Sequence, residues 1–132
     1  MDFPAGSFDF VFCLRVLNQL QHNADKIRAI AEMARVLAPG GRMLFDVVNL
    51  WSLAAMKKRT WHISPPAVRR ALRQCGMDNI RMTGRMIFTQ TMLEVLPARL
   101  ARWFSVFDTA VCRLVPFFAT RTYFLARKEP AP

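Results

Sequence analysis

Two short groups of side chains stand where a ligand site is expected, each at the end of an apolar run. Cys13 and Leu14 end the first run (8–14) and Arg15 follows it directly, while residues 49–52 lie at the end of the second run (42–49). Ligands of open α/β sheets bind at the carboxyl ends of the parallel strands. If the two runs are neighbouring parallel strands, both groups lie around one site.

One carboxylate lies inside the second apolar run, where Asp46 stands between Phe45 and Val47. A buried charge needs a partner, because its transfer out of water is costly. Asp46 is therefore either a base acting on a substrate hydroxyl or a structural carboxylate paired with an arginine, and the second interpretation is favoured. Asp9, near the start of the first run, is predicted to be structural.

Histidines and cysteines predict no metal site and no covalent nucleophile. His22 and His62 have no partner at metal-ligand spacing, so both are predicted to be surface histidines. The cysteines are odd in number, far apart and set in apolar runs, which favours buried reduced thiols over disulfides or a CxxC motif. They are Cys13, Cys75 and Cys112.

The two apolar runs are predicted to be strands joined by a helix. Apolar residues recur at helical spacing over 27–37, with Asn23 or Asp25 as the expected N-cap. The segment Ala-Pro-Gly-Gly at 38–41 is expected to end this helix with a left-handed glycine C-cap. A strand over 42–49 follows, so the three elements predict one β-α-β crossover with parallel strands.

The rest of the chain is predicted to alternate helices and strands, with no linker long enough to separate two domains. Ser64, followed by two prolines, is a typical helix start. The predicted elements are helices at 50–59 and 64–76, a strand at 78–90, a helix at 91–114 and a strand at 117–127.

The long helical pattern combines a broad apolar face with separate arginines. Its apolar positions are Leu93, Leu96, Leu100, Trp103, Phe104, Phe107, Val111 and Leu114. We expect residues 91–116 to form a lid or substrate-side segment that packs on the sheet. The alternative is an interfacial helix on a membrane surface, which would favour an apolar substrate such as a lipid or a quinone precursor.

The formal net charge of +10 and the pI of about 11.0 favour acidic partners, although an arginine-rich solvated surface gives the same balance. The basic residues are scattered and no base-stacking motif accompanies them, so no nucleic-acid partner is expected. No apolar run reaches the roughly 18 residues of a membrane span. We expect a cytoplasmic protein, with at most a peripheral contact to a membrane.

Two motifs resemble class I S-adenosylmethionine-dependent methyltransferases of the small-molecule, type 11-like kind. In that family Leu-Pro-Phe-x-x-(Gly/Ser)-Phe-Asp leads into the fourth strand, and Arg-x-Leu-x-Pro-Gly-Gly leads into the fifth. Both motifs occur here at the separation that the family shows. The matching residues are Phe3, Ser7, Phe8 and Asp9 in the first motif, and Arg35, Leu37, Pro39, Gly40 and Gly41 in the second.

The resemblance implies the C-terminal portion (1–132) of one methyltransferase domain. Its fold class is α/β, a partial Rossmann-like sheet with strands equivalent to 4-5-7-6 and flanking helices, without strands one to three. The implied cofactor is S-adenosylmethionine, bound at Cys13, Leu14 and Arg15. Asn49 and Trp51 are implied to face a small-molecule acceptor, which would be apolar if the membrane interpretation of residues 91–114 holds. No catalytic residue is implied, since transfer in this family is a direct displacement that depends on positioning.

The sequence does not contain the family's acidic-x-Gly-x-Gly-x-Gly loop or its ribose-binding carboxylate. The 132-residue chain alone is therefore expected to be inactive or weak. Its first strand becomes a sheet edge, with Phe8, Phe10 and Phe12 on one face and Val11 and Cys13 on the other. The alternative function is a non-catalytic half-domain that pairs with a partner or a second copy through this strand, or that binds a membrane surface.

Overall fold

A computed structural model describes residues 2–52, 62–85 and 97–130. The elements, in chain order, are strand β1 (Phe8–Cys13), a 3-10 turn (Leu17–Gln19), helix α1 (Asn23–Val36), strand β2 (Leu37–Val48), helix α2 (Pro65–Gln74), strand β3 (Met77–Arg85), helix α3 (Ala98–Leu114), a second 3-10 turn (Pro116–Phe118) and strand β4 (Arg121–Lys128). None of the described helices is both long and apolar enough to cross a membrane.

The four strands form one sheet in the order β1-β2-β4-β3. β1 and β2 are parallel, with Val11 opposite Met43, whereas β4 is antiparallel to both of its neighbours. The parallel pair joined by α1 is the predicted crossover, and the strand order is that of 4-5-7-6. The predicted α/β fold class is confirmed.

One face of the sheet, the covered face, packs against α1 and α2. Its strand residues include Phe45 and Phe124, whose rings stack with centroids 5.5 Å apart and are fully buried. Ile30 from α1 and Leu72 from α2 are buried in the same cluster. Each large apolar side chain that is fully buried stabilises the fold by about 1.5–3 kcal/mol, so this face is the stabilising core.

The opposite face of the sheet, called the outer face, begins at the edge strand β1. Phe10 and Phe12 are 51% and 68% exposed, and their ring centroids lie 6.4 Å apart. Phe12 is opposite Leu44, and Leu44 is opposite Leu125, so apolar side chains continue across the outer face of the sheet. The predicted alternation of β1 side chains between two faces is confirmed.

Both predicted caps of α1 are wrong. The N-cap is His22, which makes no side-chain capping hydrogen bond. At the other end Leu37 is extended instead of left-handed. The Lys128 ammonium donates to the carbonyl oxygens of Ala34 at 2.8 Å and Leu37 at 2.7 Å. A cation from β4 thus satisfies carbonyls that a glycine cap would otherwise satisfy.

The glycines of the Ala-Pro-Gly-Gly segment belong to β2. Gly40 has a φ of +77° and lies where the β1–β2 register shifts. A Cβ on Gly41 would stand 2.6 Å from Leu37 Cδ2 and 3.0 Å from the Asp9 carbonyl oxygen. The segment therefore lets β1 approach β2 closely, instead of ending the helix.

The predicted helix after Ser64 is confirmed as α2, which is followed by Gly76 at a φ of +68°. The predicted strand at 78–90 is confirmed up to residue 85, and its last five positions lie outside the described residues. The predicted helix at 50–59 lies mostly outside them as well, and the described residues 50–52 form a turn.

Helix α3 differs from expectation in its orientation. It begins after Pro97, and the predicted positions Leu93 and Leu96 lie outside the described residues. Its buried residues are Asp108 and Cys112, whereas Trp103 is 76% exposed. The predicted packing of its apolar face on the sheet is wrong for the described helix, because a narrow edge of small and polar side chains faces inward instead.

Candidate functional site

The carboxyl ends of β1 and β2 lie side by side, since Cys13 is opposite Phe45 in the parallel pair. After Cys13 the chain turns sharply, with Arg15 in the left-handed region at a φ of +63°. This turn directs the Arg15 backbone N–H to the Asp46 carboxylate at 2.5 Å. The predicted cofactor residues Cys13, Leu14 and Arg15 are thus held against β2 by a carboxylate within that strand.

Asp46 is the centre of a hydrogen-bond network at this edge. It is fully buried, and its Oδ2 accepts from Arg121 Nη1 at 2.8 Å and from Asn18 Nδ2 at 3.5 Å. Asn18 Oδ1 in turn accepts from the Val48 backbone N–H at 3.0 Å. The interpretation of Asp46 as a carboxylate paired with an arginine is confirmed, so the group orients its neighbours and is engaged on both oxygens.

Cys13 contributes no activated nucleophile to the edge. Burial is the main cause that raises the pKa of its thiol, and the negative charge of Asp46 raises it further. A backbone hydrogen bond from Leu17 acts in the opposite direction and is the smallest of the three causes. At neutral pH the thiol is protonated, which suits a partly buried packing residue.

Asn49, which the resemblance predicts to face an acceptor, uses its side-chain amide for hydrogen bonds to backbone groups of the protein. The side chain is fully buried, donates to the backbone carbonyls of Phe117 and Ala119, and accepts from the Trp51 N–H at 2.9 Å. It therefore ties the end of β2 to the turn before β4 and orients Trp51. Direct contact of Asn49 with an acceptor stays a prediction that would require these hydrogen bonds to break.

Trp51, the other predicted acceptor residue, is 46% exposed. Its ring lies beside Phe117, with centroids 6.3 Å apart and planes tilted by 35°. The pair forms an aromatic surface at the carboxyl end of β2. Such a surface suits an apolar or cationic small molecule through its ring faces.

A groove of about 450 Å³ separates α3 from the outer face. Leu44 and Tyr123 line its sheet side, and Tyr123 is the strand partner of Asp46. Asp108 and Cys112 line its helix side. The volume is within the range of about 300–1,000 Å³ that small-molecule sites occupy.

Three residues of this edge, Asn18, Phe117 and Arg121, are not indicated by local sequence patterns. Arg121 lies 75 positions after Asp46 in the sequence, so only the sheet register brings them together. The apolar surroundings of Asp46 predicted an arginine partner without indicating which one. Within the described ranges, no group of three or more His, Cys, Asp or Glu residues is arranged to hold a metal ion.

Comparison with known sequences gives a family match at the first crossover. A family model described as a methyltransferase domain matches residues 1–45, which include β1, α1 and most of β2. The probable tRNA methyltransferase 9B of Mus musculus is 34% identical over 59 residues, which are 45% of this chain and 12% of that protein.

Comparison with solved structures extends the likeness to the whole sheet. A SAM-dependent methyltransferase from Thermotoga maritima, described as a possible histamine N-methyltransferase, has a TM-score of 0.66 at 14% identity, over 98% of this chain and 60% of that one. The Haemonchus contortus phosphoethanolamine N-methyltransferase 2, in complex with phosphomonomethylethanolamine and S-adenosylhomocysteine, has a TM-score of 0.57 at 16% identity, over 98% and 35%.

The chain spans 60% or less of the length of each of these relatives. At these identities the solved structures establish a common fold, and the family model adds the sequence match at its first crossover. The chain therefore shares the fold of S-adenosylmethionine-dependent methyltransferases, and its first crossover matches the model of a methyltransferase domain.

Proposed function

We propose that the chain supplies the acceptor side and one wall of the cofactor site for methyl transfer to a small molecule. The observation that carries the proposal is the Asp46 network, which fixes the turn after β1 against the end of β2. In this arrangement Leu14 and Arg15 border the methionine portion of S-adenosylmethionine. Trp51 and Phe117 border the acceptor.

The side chains at this edge suit positioning chemistry. The bound cofactor supplies a methyl group already activated on a sulfonium, so an acceptor lone pair can attack it directly. The protein then needs to align the two reactants and exclude water, which is the contribution of a fixed turn and an aromatic wall. Leu14, which is 42% exposed, offers an apolar contact, and the Arg15 turn is fixed by a buried carboxylate.

The described residues of this edge can contact the methionine portion of the cofactor, but they offer no carboxylate for its ribose. Asp46 is engaged by Arg121 and by the Arg15 N–H, which leaves it unsuited to bind ribose hydroxyls. We therefore propose that the 132-residue chain alone binds S-adenosylmethionine only at millimolar concentration and turns over weakly or not at all.

Calorimetric titration of the purified chain with S-adenosylmethionine tests this proposal. We expect no saturation at micromolar cofactor, and saturation with micromolar affinity would contradict it. Leu14→Ala should weaken the residual millimolar binding, whereas Val16→Ala, at a similarly exposed neighbouring position, should leave it unchanged. Equal loss in both variants would contradict the assigned role of Leu14.

A second candidate function is a non-catalytic half-domain that pairs through β1. The exposure of Phe10 and Phe12 on an edge strand supports it, because such edges template further strand pairing. Size-exclusion chromatography with light scattering tests it. A monomer at all concentrations would contradict pairing, whereas a dimer that Phe12→Lys abolishes would support it.

A further inference from the structure

Helix α3 carries three distinct stripes along its 17 residues. The stripe that faces the sheet contains Asp108 and Cys112, which are 6% and 1% exposed. Side chains at positions i, i+3 and i+7 share one face of a helix. The second stripe, called the apolar row, follows this spacing and consists of Leu100, Trp103, Phe107 and Leu114.

The apolar row is exposed to solvent along its whole length. The exposed fractions are 50% for Leu100, 76% for Trp103, 59% for Phe107 and 81% for Leu114. Phe118, in the turn that follows the helix, is also 51% exposed. Contiguous exposed apolar surface of this kind marks an interaction site on a folded protein.

The third stripe consists of exposed arginines, and it borders the apolar row. Arg99, Arg102 and Arg113 each precede or follow a member of the apolar row by one position, so they lie on the adjacent helix face. Asp108, the one acidic residue between positions 97 and 118, is buried against the sheet. Every exposed charge along α3 is therefore positive.

From these stripes we infer that α3 docks on an anionic phospholipid surface. The apolar row enters the boundary between headgroups and acyl chains, with the helix axis parallel to the membrane plane. The arginines extend along this boundary and bind lipid phosphates, since their long side chains can keep the charge at the headgroup level. Trp103 and Phe107 are the central apolar contacts.

Charge favours a membrane over a second copy of the chain as the occupant. In a symmetric dimer through this face, the same patch of each subunit faces the other. The arginine stripes of two chains with a net charge of +10 would then come close together, which is unfavourable. An anionic membrane supplies the opposite charge beside an apolar layer. The inference does not depend on methyl transfer, and its test requires no enzymatic activity.

Vesicle co-sedimentation of the 132-residue chain tests the inference. Vesicles of phosphatidylcholine and phosphatidylglycerol in equal parts should bind the chain, whereas pure phosphatidylcholine should bind it much more weakly. Trp103→Gln with Phe107→Gln should reduce binding at least about tenfold. Phe12→Gln, at an equally exposed aromatic on the outer face, is the matched control and should change binding less than twofold, by the same principle.

Arginine variants separate a specific stripe from overall charge. Arg99→Gln, Arg102→Gln and Arg113→Gln together should reduce binding by about fivefold for each residue. The control with the same net charge changes three exposed arginines elsewhere, Arg42→Gln, Arg70→Gln and Arg73→Gln. Equal loss in both triple variants would overturn the inference, because binding would then depend on net charge alone.

Tryptophan fluorescence gives a second readout that a folding defect would not imitate. With Trp51→Phe and Trp61→Phe, Trp103 is the remaining tryptophan, and its emission should shift to the blue when anionic vesicles are added. An unshifted emission would overturn the inference. So would a stable dimer in light scattering that the Trp103→Gln and Phe107→Gln pair dissociates without any vesicle binding.

Discussion

The two faces of the sheet both carry phenylalanine side chains, yet they differ completely in burial. Phe45 and Phe124 are fully buried on the covered face, whereas Phe10 and Phe12 on the outer face are 51% and 68% exposed. The connections explain the difference. The crossover between β1 and β2 places α1 on one face, and α2 packs on that same face. On the outer face α3 stands off, with a groove beneath it.

The buried core and the exposed aromatic side chains therefore lie on different faces of one sheet. The covered face holds the buried cluster that stabilises the fold. The outer face and the carboxyl edge hold the exposed aromatics, the groove and the Asp46 network. Variants on the two faces should therefore give opposite patterns of effects on stability and on binding.

The largest expected effect is on the covered face. Phe45→Ala leaves a cavity beside Phe124 and should lower the free energy of unfolding by about 3–5 kcal/mol. Phe12→Ala, on the outer face, should change it by about 0.5 kcal/mol or less, because its ring is mostly in water already. Urea denaturation of both variants measures the contrast. Similar losses would show that the outer face is covered in solution.

Gly84→Ala should have the next largest effect. The added Cβ would stand 2.6 Å from Ala119 Cβ and 2.9 Å from Pro116 Cα, so the turn before β4 must move away from β3. Overpacking of this kind costs about 1–3 kcal/mol. Thr83→Ala, at the exposed adjacent position, is the control. Unchanged stability in Gly84→Ala would mean that the turn is not held against the strand.

Asp46→Asn should have a smaller effect on stability than Gly84→Ala. It keeps the shape of the side chain and removes the charge that pairs with Arg121, which is partly exposed and can regain water. We expect a loss of about 1–2 kcal/mol. Asp25→Asn removes an exposed pair with Arg28 and should cost about 0.5 kcal/mol or less. Thermal unfolding compares the two, and equal losses would contradict the central role of Asp46.

The smallest effect concerns Lys26, a buried lysine on α1 whose pKa is lowered by burial. Burial penalises the charged form of Lys26, and at neutral pH the ammonium is charged. The folded state is therefore destabilised at this pH by the burial of the charge. This destabilisation disappears as the pH rises through the folded pKa towards the ordinary value of 10.5. Lys26→Met should therefore be about as stable as the wild type, within about 1 kcal/mol, at pH 7.

The wild type should gain stability relative to Lys26→Met between neutral pH and about pH 10. Urea denaturation at several pH values measures this difference. A difference that stays constant, or that changes in the opposite direction, would show that burial does not control the protonation of Lys26.

Local patterns in the sequence were sufficient for the crossover of β1, α1 and β2, and the family resemblance supplied the strand order of the sheet. The alternation in β1 predicted its two faces, and the apolar surroundings of Asp46 predicted a paired carboxylate. The end of α1 could not be predicted in this way, because Lys128, which satisfies its carbonyls, comes from β4. The Arg121 partner of Asp46 could not be predicted from local patterns either, because it also comes from β4.

Helix α3 shows a second limit of periodicity. The spacing of Trp103 and Phe107 correctly indicates an amphipathic helix, but it does not specify which side faces the sheet. Small side chains and a buried Asp108 allow the narrow edge to pack inward, and this choice depends on tertiary contacts. Similarly, the family resemblance implies a ligand contact for Asn49, whereas the turn before β4 engages its amide.

The location of the cofactor site at the carboxyl edge is tested most directly by amide chemical shifts of the ¹⁵N-labelled chain during titration with S-adenosylhomocysteine. We expect shifts at Leu14, Arg15 and the Trp51 indole, which saturate at millimolar ligand. The resonances of α2 and of exposed arginines far from this edge should stay unchanged. Shifts centred on another surface, with none at the ends of β1 and β2, would contradict the account.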